Sequence, residues 1–575
     1  MANIDLGEGL MPMVLGFGDN RAESGQRNSE GLIHYQGELG DFWYDPMEFE
    51  IVNAVYGQYL HYVGFGKVVN LPEGCVNTRY MFYQCNLPFG FTLGDKFDTS
   101  NVTCMQGMFQ SCELPAGFTL GDKFDTSNVT NMEEMFQHCK LPAGFTLGEK
   151  FNTSNVTCMQ GMFQRCEMAD GFSLGEKFDT SNVTDMFQMF QECKMPAGFI
   201  LGEKFDTSNV TAMFQMFQGC KMPPGFSLGK KFDTSRVTAM FRMFQSCKLP
   251  AGFTLGEKFD TSNVTAMQEM FQECEMPSGF SFGKKFDTSN VTCMQGMFQS
   301  CELPAGFTLG DKFDTSNVTN MAEMFQHCKL PAGFTLGDKF STSNVRNMSS
   351  MFAECKFPAG FTLGDKFDTS KVNDMSGMFY ACRIAAGFSL GDGFDTARVK
   401  YMGRMFYGCE FPQGFNLGNK FNTSSVIEMY SLFESCVFPK GFSLGDKFDT
   451  SNVTDMSNMF AKAKLPEDFT LGEKFTFGTA TNLSNMFYCV TIPKGFSLND
   501  FTFTENQDYA DMFSRCEFPT DFQIGWFSAK QLKEIADMFS KCEFPTDFQI
   551  GVFSAKQLKK IADSCQHVSV YVSRG

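Results

Sequence analysis

The chain has 575 residues and a formal net charge of −18, with 47 Lys and Arg against 65 Asp and Glu. This acidic balance opposes the phosphate attraction on which non-specific nucleic-acid binding depends, so DNA, RNA and acidic lipid are poor partners. No run of about 18 apolar residues occurs, which excludes a predicted membrane-spanning helix. The start, MANIDLGEGL, has no basic flank before an apolar run, and no secretory signal is recognised.

Residues 1–70 form a non-repetitive N-terminal segment that contains Trp43, several Tyr and the Gly-rich stretch YGQYLHYVGFGKVVNLP. One interpretation is a cap that covers the first coil of the repeat array that follows. The alternative is an attachment domain that docks the array on a larger assembly.

A 27-residue unit fills most of the remaining chain. Fifteen such units run from Leu87 to Thr491, and two units of 26 residues begin at Ile492 and Phe518. A fixed period of about 20 to 50 residues is typical of a solenoid, because one unit cannot bury its own apolar face. Residues 71–517 are therefore predicted to form a repeat solenoid.

Each unit is predicted to contain one short strand and one short helix. The segment FTLGDKF alternates apolar residues and then reaches a Gly-containing turn, as a short strand does. Met105, Met108, Phe109 and Cys112 fall at i, i+3, i+4 and i+7, which predicts one buried face of a helix. The predicted fold class is an α/β solenoid with one short strand and one short helix per 27-residue coil and a parallel sheet on one side.

Cysteine recurs at one position of the unit without a break from Cys85 to Cys436, and Ala463 takes that position in the next unit. A metal column or a chain of disulfides is one interpretation, because neighbouring coils would bring the Cα atoms within disulfide range. Buried reduced thiols are the preferred interpretation, since Ala replaces Cys directly and no Cys-x-x-Cys pair occurs for zinc. So many thiols suit assembly in a reducing compartment. No metal and no cofactor are predicted.

The DTSN segment between strand and helix is predicted to form a turn. Asn101 also begins a glycosylation acceptor pattern, but a glycan on every coil would not fit. Asp95 and Asp98 suggest calcium, yet Lys96 lies beside them, so a solvated mixed-charge ridge is preferred.

Residues 518–575 are predicted to be C-terminal capping repeats followed by a final strand. In FSAKQLKEIADMFSKCE the usual helix is replaced by a longer and more polar one, with Ser528 and Gln531 in a capping-box pattern. The closing HVSVYVSRG can add a strand.

Two runs carry a family resemblance: FDTSKVNDMSGMFYAC from Phe367 and FDTSNVTDMSNMFAKAK from Phe448. They resemble the repeat of the BspA-type leucine-rich-repeat surface proteins, a bacterial surface-protein repeat with the pattern DTSNVTxMxxMFxxC. The resemblance implies a leucine-rich-repeat-like solenoid. Because proteins of that family are mostly displayed on surfaces and implicated in adhesion, it also implies a role in attachment.

Catalysis is not predicted: the chain has only five His, and a regular array presents the same groups repeatedly where a reaction needs different groups in one place. Two non-catalytic functions remain. One is architecture, in which the length of the array is its purpose. The other is recognition of a host or environmental surface glycan or protein by a column of strand-face threonines. The candidate binding residues are Thr92, Thr119, Thr146, Thr254, Thr308 and Thr335.

The place of action follows from three sequence features: adhesive repeats, no recognised export signal and a column of thiols. A component that assembles in the cytosol and is then displayed on a released particle satisfies all three. A virion-associated fibre or decoration protein for attachment is therefore expected, at the virion or cell surface. The alternatives are a cell-surface adhesin of the BspA type and a cytosolic scaffold.

Overall fold

The computed structural model describes Leu71, residues 75–498, 503–504, 506–524 and 538–544, and seven short strands outside these ranges. The chain forms two compact units. The first comprises Met1–Thr265 and Glu273–Asp287, and the second comprises Ala266–Gln272 and Thr288–Gly575. Each unit contains stacked coils of the repeat.

Short strands, two to five residues long, pair in small sheets. Two sheets are antiparallel: one contains β1, β2 and β3 in that order, and the other pairs β11 with β12. The remaining four pairs are parallel, namely β4·β5, β6·β7, β8·β9 and β10·β13. The strands are β1 (Ile33–Gly37), β2 (Gly40–Tyr44), β3 (Ile51–Ala54), β4 (Val68–Val69), β5 (Thr92–Leu93), β6 (Lys140–Leu141), β7 (Glu167–Met168), β8 (Ser497–Leu498), β9 (Gln523–Ile524), β10 (Glu543–Phe544), β11 (Gln549–Ile550), β12 (Phe553–Ser554) and β13 (Tyr571–Val572).

Parallel backbone bridges join successive coils at two positions of the unit. One series of bridges links Cys104 to Asn131 and Asn131 to Cys158, and the other links Glu113 to Lys140. Each partner lies one repeat further along the chain. Paired strands lie about 4.8 Å apart, so the ladder fixes a short distance between coils.

The prediction of a helix in each repeat is wrong for residues 75–498, 503–504 and 506–524, where consecutive tight turns are found instead. The Met108 amide donates to the Met105 carbonyl at 3.2 Å, and the Cys112 amide donates to the Phe109 carbonyl at 3.1 Å. The Phe109 amide, by contrast, donates outside its own coil, to the Met135 carbonyl of the next coil at 2.9 Å. Alternate amides thus close turns and join coils, whereas helix amides would all bond within one segment.

Coil spacing explains why turns replace the helix. The rings of Phe109 and Phe136, which occupy the same position in consecutive coils, are stacked with centroids 5.5 Å apart. Packed helices need about 8–10 Å between their axes, which this spacing does not allow. The turns require a positive φ at Gly107 (59°) and Ser111 (61°). At the non-glycine position this costs about 1–2 kcal/mol, which the bonds to the next coil offset.

The prediction of a strand at FTLGDKF in every 27-residue repeat is also wrong. Strands β5 and β8 lie at that position, but Phe118–Leu120 and its equivalents in the central coils form none. A turn precedes this segment, with the Phe118 amide donating to the Pro115 carbonyl at 3.1 Å. A second turn follows, with the Phe124 amide donating to the Gly121 carbonyl at 3.3 Å. In the central coils, backbone pairing occurs at the two bridge positions instead.

Stacked phenylalanines run through the core of each unit in three columns. In the first unit, the rings of Phe124 and Phe151 are parallel, with centroids 6.4 Å apart. Those of Phe118 and Phe145 lie 6.1 Å apart in the second column, and Phe109 belongs to the third. The burial predicted for Met105, Phe109 and Cys112 is confirmed, because all three side chains are buried. The periodicity therefore identified the core correctly although it predicted the wrong backbone.

Candidate functional site

The six candidate threonines are exposed, each in a segment whose flanking side chains are turned inward. Thr119, for example, lies between Phe118 and Leu120, which are both buried. The positions recur at the repeat interval, so within each unit they lie at equivalent places on successive coils. The six are Thr92, Thr119, Thr146 and Thr254 in the first unit and Thr308 and Thr335 in the second.

No side-chain hydrogen bond is formed by these six threonines within the described part of the chain, so their hydroxyl groups face solvent. The position is not uniform, because Ile200 occupies it with 58 % of its surface exposed, and Asn416 occupies it in a later coil. A repeated hydroxyl can donate to and accept from a ligand. Binding by this column stays a prediction.

A second set of threonines, which the sequence analysis did not single out, lies in the core. The Thr207 hydroxyl donates to the Asp233 carbonyl of the next coil at 2.8 Å and accepts a hydrogen bond from the Asp233 amide, also at 2.8 Å. One side chain thus satisfies both backbone groups of a residue in the neighbouring coil. Fully buried threonines at this position are Thr99, Thr126, Thr153, Thr180, Thr207, Thr234, Thr261, Thr288, Thr315, Thr342, Thr369, Thr396, Thr423 and Thr450.

Replacing one buried threonine should destabilise the coil. Thr207→Val keeps the branched shape but removes the hydroxyl, which leaves the Asp233 amide and carbonyl without that partner. We expect the free energy of unfolding to fall by about 1–3 kcal/mol. Thr211→Val is the matched control: Thr211 lies in the same coil but is exposed, and its hydroxyl forms one long, solvent-exposed hydrogen bond to the Thr184 carbonyl at 3.4 Å. Because water can replace that bond, the change should stay within about 0.5 kcal/mol. Equal losses in urea denaturation would contradict the role of Thr207.

The cysteine column is buried and its thiols bond to the backbone. The Cys139 sulfur donates to the Phe109 carbonyl at 2.7 Å, and the Cys220 sulfur donates to the Phe190 carbonyl at 2.8 Å. The cysteines that the structure describes are present as thiols, not disulfides. Burial raises the pKa of Cys139 and of Cys220 to about 12, because the interior disfavours the thiolate. These groups are therefore neutral and unreactive at physiological pH.

The predicted DTSN turn is confirmed. The Asp98 carboxylate accepts a hydrogen bond from the Ser100 amide at 2.9 Å, and hydrogen bonds from the side chain and amide of Ser100 lower the pKa of Asp98. The Asn128 side chain donates to the Ser100 carbonyl of the preceding coil at 2.7 Å. Because Asn128 begins the same acceptor pattern as Asn101, a glycan there would displace a coil-to-coil bond.

Charged side chains form ion pairs along the coil surface. Both examples join a lysine to an acid of the preceding coil: Lys258 lies 3.7 Å from Asp233, and Lys140 lies 3.4 Å from Glu113. These pairs are exposed to differing degrees and each contributes little to stability. Within the part of the chain that the structure describes, no group of three or more His, Cys, Asp or Glu converges as a metal site.

Stacked aromatic side chains lie on the surface of each compact unit. Phe187, Phe214 and Phe241 are half-buried and stack in consecutive coils of the first unit, with adjacent centroids 4.5 Å apart. In the second unit, Tyr380 and Tyr407 stack at 4.7 Å. The capping box predicted at Ser528 and Gln531 lies outside the described residues, as do most of residues 1–70.

Comparison with known protein families gives a repeated match. The model of a family described as "Mycoplasma protein of unknown function, DUF285" matches ten overlapping segments that together cover residues 76–550. The segments are 76–195, 122–224, 169–275, 225–331, 251–357, 281–385, 330–443, 359–465, 388–492 and 440–550.

No curated protein matches the chain. In the described residues, no helix is both long enough and apolar enough to cross a membrane. The repeated family match spans far more than half of the sequence and supports the resemblance to BspA-type repeat proteins. The chain therefore belongs to the repeat family described as Mycoplasma protein of unknown function, DUF285.

Proposed function

We propose that this protein is a non-catalytic repeat protein that presents a periodic recognition surface on a cell or particle. The observation that carries the proposal is that buried side chains hold the coils together, whereas exposed side chains at the repeat interval remain available for a ligand. The buried Thr207 and Cys139 bond to neighbouring coils, whereas Thr119 and Thr146 are exposed at the repeat interval. A surface of this kind suits a repetitive ligand, because equivalent coils offer equivalent contacts.

The ligand class is a host or environmental glycan or protein, and the six candidate threonines would contact it. The family match supports a surface role, since the repeat family is typical of surface proteins. Residues 1–70 would join the array to a larger assembly. We propose neither nucleic acid as a partner nor insertion of the chain into a membrane.

For the place of display, a virion-associated fibre or decoration protein is the first candidate. Its support is the thiol column: the described cysteines are not paired in disulfides, which suits folding in a reducing compartment before release on a particle. A BspA-type cell-surface adhesin is the second candidate, and the family match favours it. A cytosolic scaffold is the third.

Fractionation of producing cells tests the proposal. Mass spectrometry of purified particles, washed cell envelopes and cytosol should find the chain enriched with particles if it is a virion component. Recovery in envelopes alone would replace that candidate with the adhesin. Recovery in the cytosol alone, with none in particles or envelopes, would refute surface display.

A further inference from the structure

A cluster of cations interrupts the otherwise neutral SNVT segments in the second unit. In most coils the second and fourth positions of this segment are the uncharged residues Asn and Thr. Three consecutive coils instead carry Arg or Lys at one or both of these positions. All four side chains are exposed. The basic patch consists of Arg346, Lys371, Arg398 and Lys400.

Backbone bonds place the members of the basic patch side by side. The Lys400 amide donates to the Asn373 carbonyl at 2.8 Å, and the Asn373 amide donates to the Arg346 carbonyl at 2.9 Å. Arg346 and Lys400 therefore lie in one column, about 10 Å apart across two coil spacings. Lys371 and Arg398 occupy the adjacent exposed position of neighbouring coils, and the Lys371 ammonium group donates to Asn344 at 2.7 Å.

Within the residues that the structure describes, none of the four cations forms an ion pair with a carboxylate. Other exposed lysines do, such as Lys140 with Glu113. The nearby acids Asp368 and Asp395 are engaged in their own turns, where each accepts a backbone amide hydrogen bond at 2.9 Å. Asp374 and Glu428 lie at the edge of the patch, where their amides donate to the Arg346 and Lys400 carbonyls at 3.4 and 3.3 Å. Acidic groups beyond about 8 Å are screened at physiological salt, so four cations against these two edge acids leave the patch locally positive.

Aromatic surface borders the basic patch. Tyr401 directly follows Lys400 and is 36 % exposed. In the next coil, Tyr430 lies over Gly403, where an added Cβ would come within 2.4 Å of the ring. The Arg404 guanidinium lies over the Tyr430 ring, 5.7 Å from its centroid. The absence of a side chain at Gly403 therefore lets the Tyr430 ring lie close to the backbone, where it contacts a further cation, Arg404.

We propose that the basic patch and Tyr401 bind an acidic polysaccharide, one that carries carboxylate or sulfate groups. Arginine pairs with a planar carboxylate or a tetrahedral oxyanion through two parallel hydrogen bonds, and lysine adds charge. A tyrosine ring offers an apolar surface with a polar tip, which suits a sugar. The cations span only about 10 Å across three coils, and Asp374 and Glu428 flank Tyr401 in its column, so the patch fits one or two anionic sugar units better than a long polyphosphate track. This inference rests on the proposed recognition function and names a ligand class for it.

The test compares the full chain with a variant in which the patch takes residues used by other coils: Arg346→Thr, Lys371→Asn, Arg398→Asn and Lys400→Thr. The probes are immobilised heparin, which is sulfated, and hyaluronan, which carries only carboxylates. We expect the natural chain to bind at least one of them in a salt-sensitive manner. The variant should bind at least about tenfold more weakly, because four exposed ionic contacts are lost.

A second variant controls for net charge by removing four exposed lysines at another position of the coil: Lys339→Gln, Lys366→Gln, Lys420→Gln and Lys447→Gln. It should retain binding. Failure of the natural chain to bind either polymer, or equal binding by both variants, would overturn the proposal. Stronger patch-dependent binding to an oligodeoxythymidine or to phosphatidylserine vesicles would also overturn it. The localisation experiment is independent, so display without polysaccharide binding would refute this inference alone.

Discussion

Above about pH 9, the folded chain should lose stability steeply, because its buried thiols resist ionisation. Burial raises the pKa of these thiols above the ordinary value of 9.0, so unfolded thiols release protons that folded ones keep. The stabilisation is complete below pH 9 and is lost as the pH rises towards the folded pKa, by about 1.4 kcal/mol per thiol and pH unit. The buried thiols are Cys112, Cys139, Cys166, Cys193, Cys220, Cys247 and Cys274 in the first unit and Cys301, Cys328, Cys355, Cys382, Cys409, Cys436, Cys516 and Cys542 in the second.

In the first unit, six thiols have a raised pKa: Cys112, Cys139, Cys166, Cys193, Cys220 and Cys247. Together they would lose roughly 8 kcal/mol per pH unit if the unit unfolds as a whole. This is comparable to the whole stability of a typical domain. Denaturation curves between pH 8 and about pH 11 measure the effect. The control replaces Cys193, Cys220 and Cys247 by Ala, the residue found at position 463. This variant should show a slope shallower by about 4 kcal/mol per pH unit. An unchanged slope would contradict the ladder of ionisable thiols.

Truncating one phenylalanine of the core should cost nearly as much as any single substitution in the chain. Phe190 is fully buried, and its ring stacks between those of Phe163 and Phe217 with both centroids 5.8 Å away. Phe190→Ala removes contacts in three coils at once, so we expect the free energy of unfolding to fall by about 3–5 kcal/mol. Chemical denaturation with hydrogen exchange of the flanking coils would measure the loss and its reach.

Phe187→Ala provides a control in the same coil. Phe187 also stacks, on Phe214, but it is half-buried at the surface, so its removal should cost about 1 kcal/mol. Because coils in a solenoid interact mainly with their neighbours, the Phe190 change should reduce protection locally first. Similar losses for Phe187 and Phe190 would contradict the placement of the core.

The sequence predicted which side chains are buried but not the backbone that buries them. Met105, Phe109 and Cys112 are spaced like one face of a helix, yet turns closed between residues i and i+3 bring the same side chains inward. The spacing of apolar residues does not distinguish a helix from a series of such turns, because both backbones return a side chain to the same face after three or four residues. The distance to the neighbouring coil decides between them, and that distance is a tertiary property.

The buried threonines were identifiable from the sequence, whereas the basic patch was not. Thr99 and its equivalents never vary up to Thr450, even where the preceding Asp becomes Asn152 or Ser341, which indicates a constraint beyond turn formation. The basic patch depends on which positions lie side by side on successive coils. Its members on different coils are 25 to 54 residues apart in sequence, and they are recognised as neighbours only once the coil register is known.

Far-UV circular dichroism of the full chain tests the central claim, that turns and coil-to-coil backbone bonds replace helices in the repeats. Residues 75–498, 503–504 and 506–524 contain no α-helix, so the spectrum should lack the strong double minimum of a helical protein. A leucine-rich-repeat-like chain with one helix in every coil would place about a third of its residues in helix, near the average for globular proteins. A spectrum with that helical content would contradict the stacked-turn architecture.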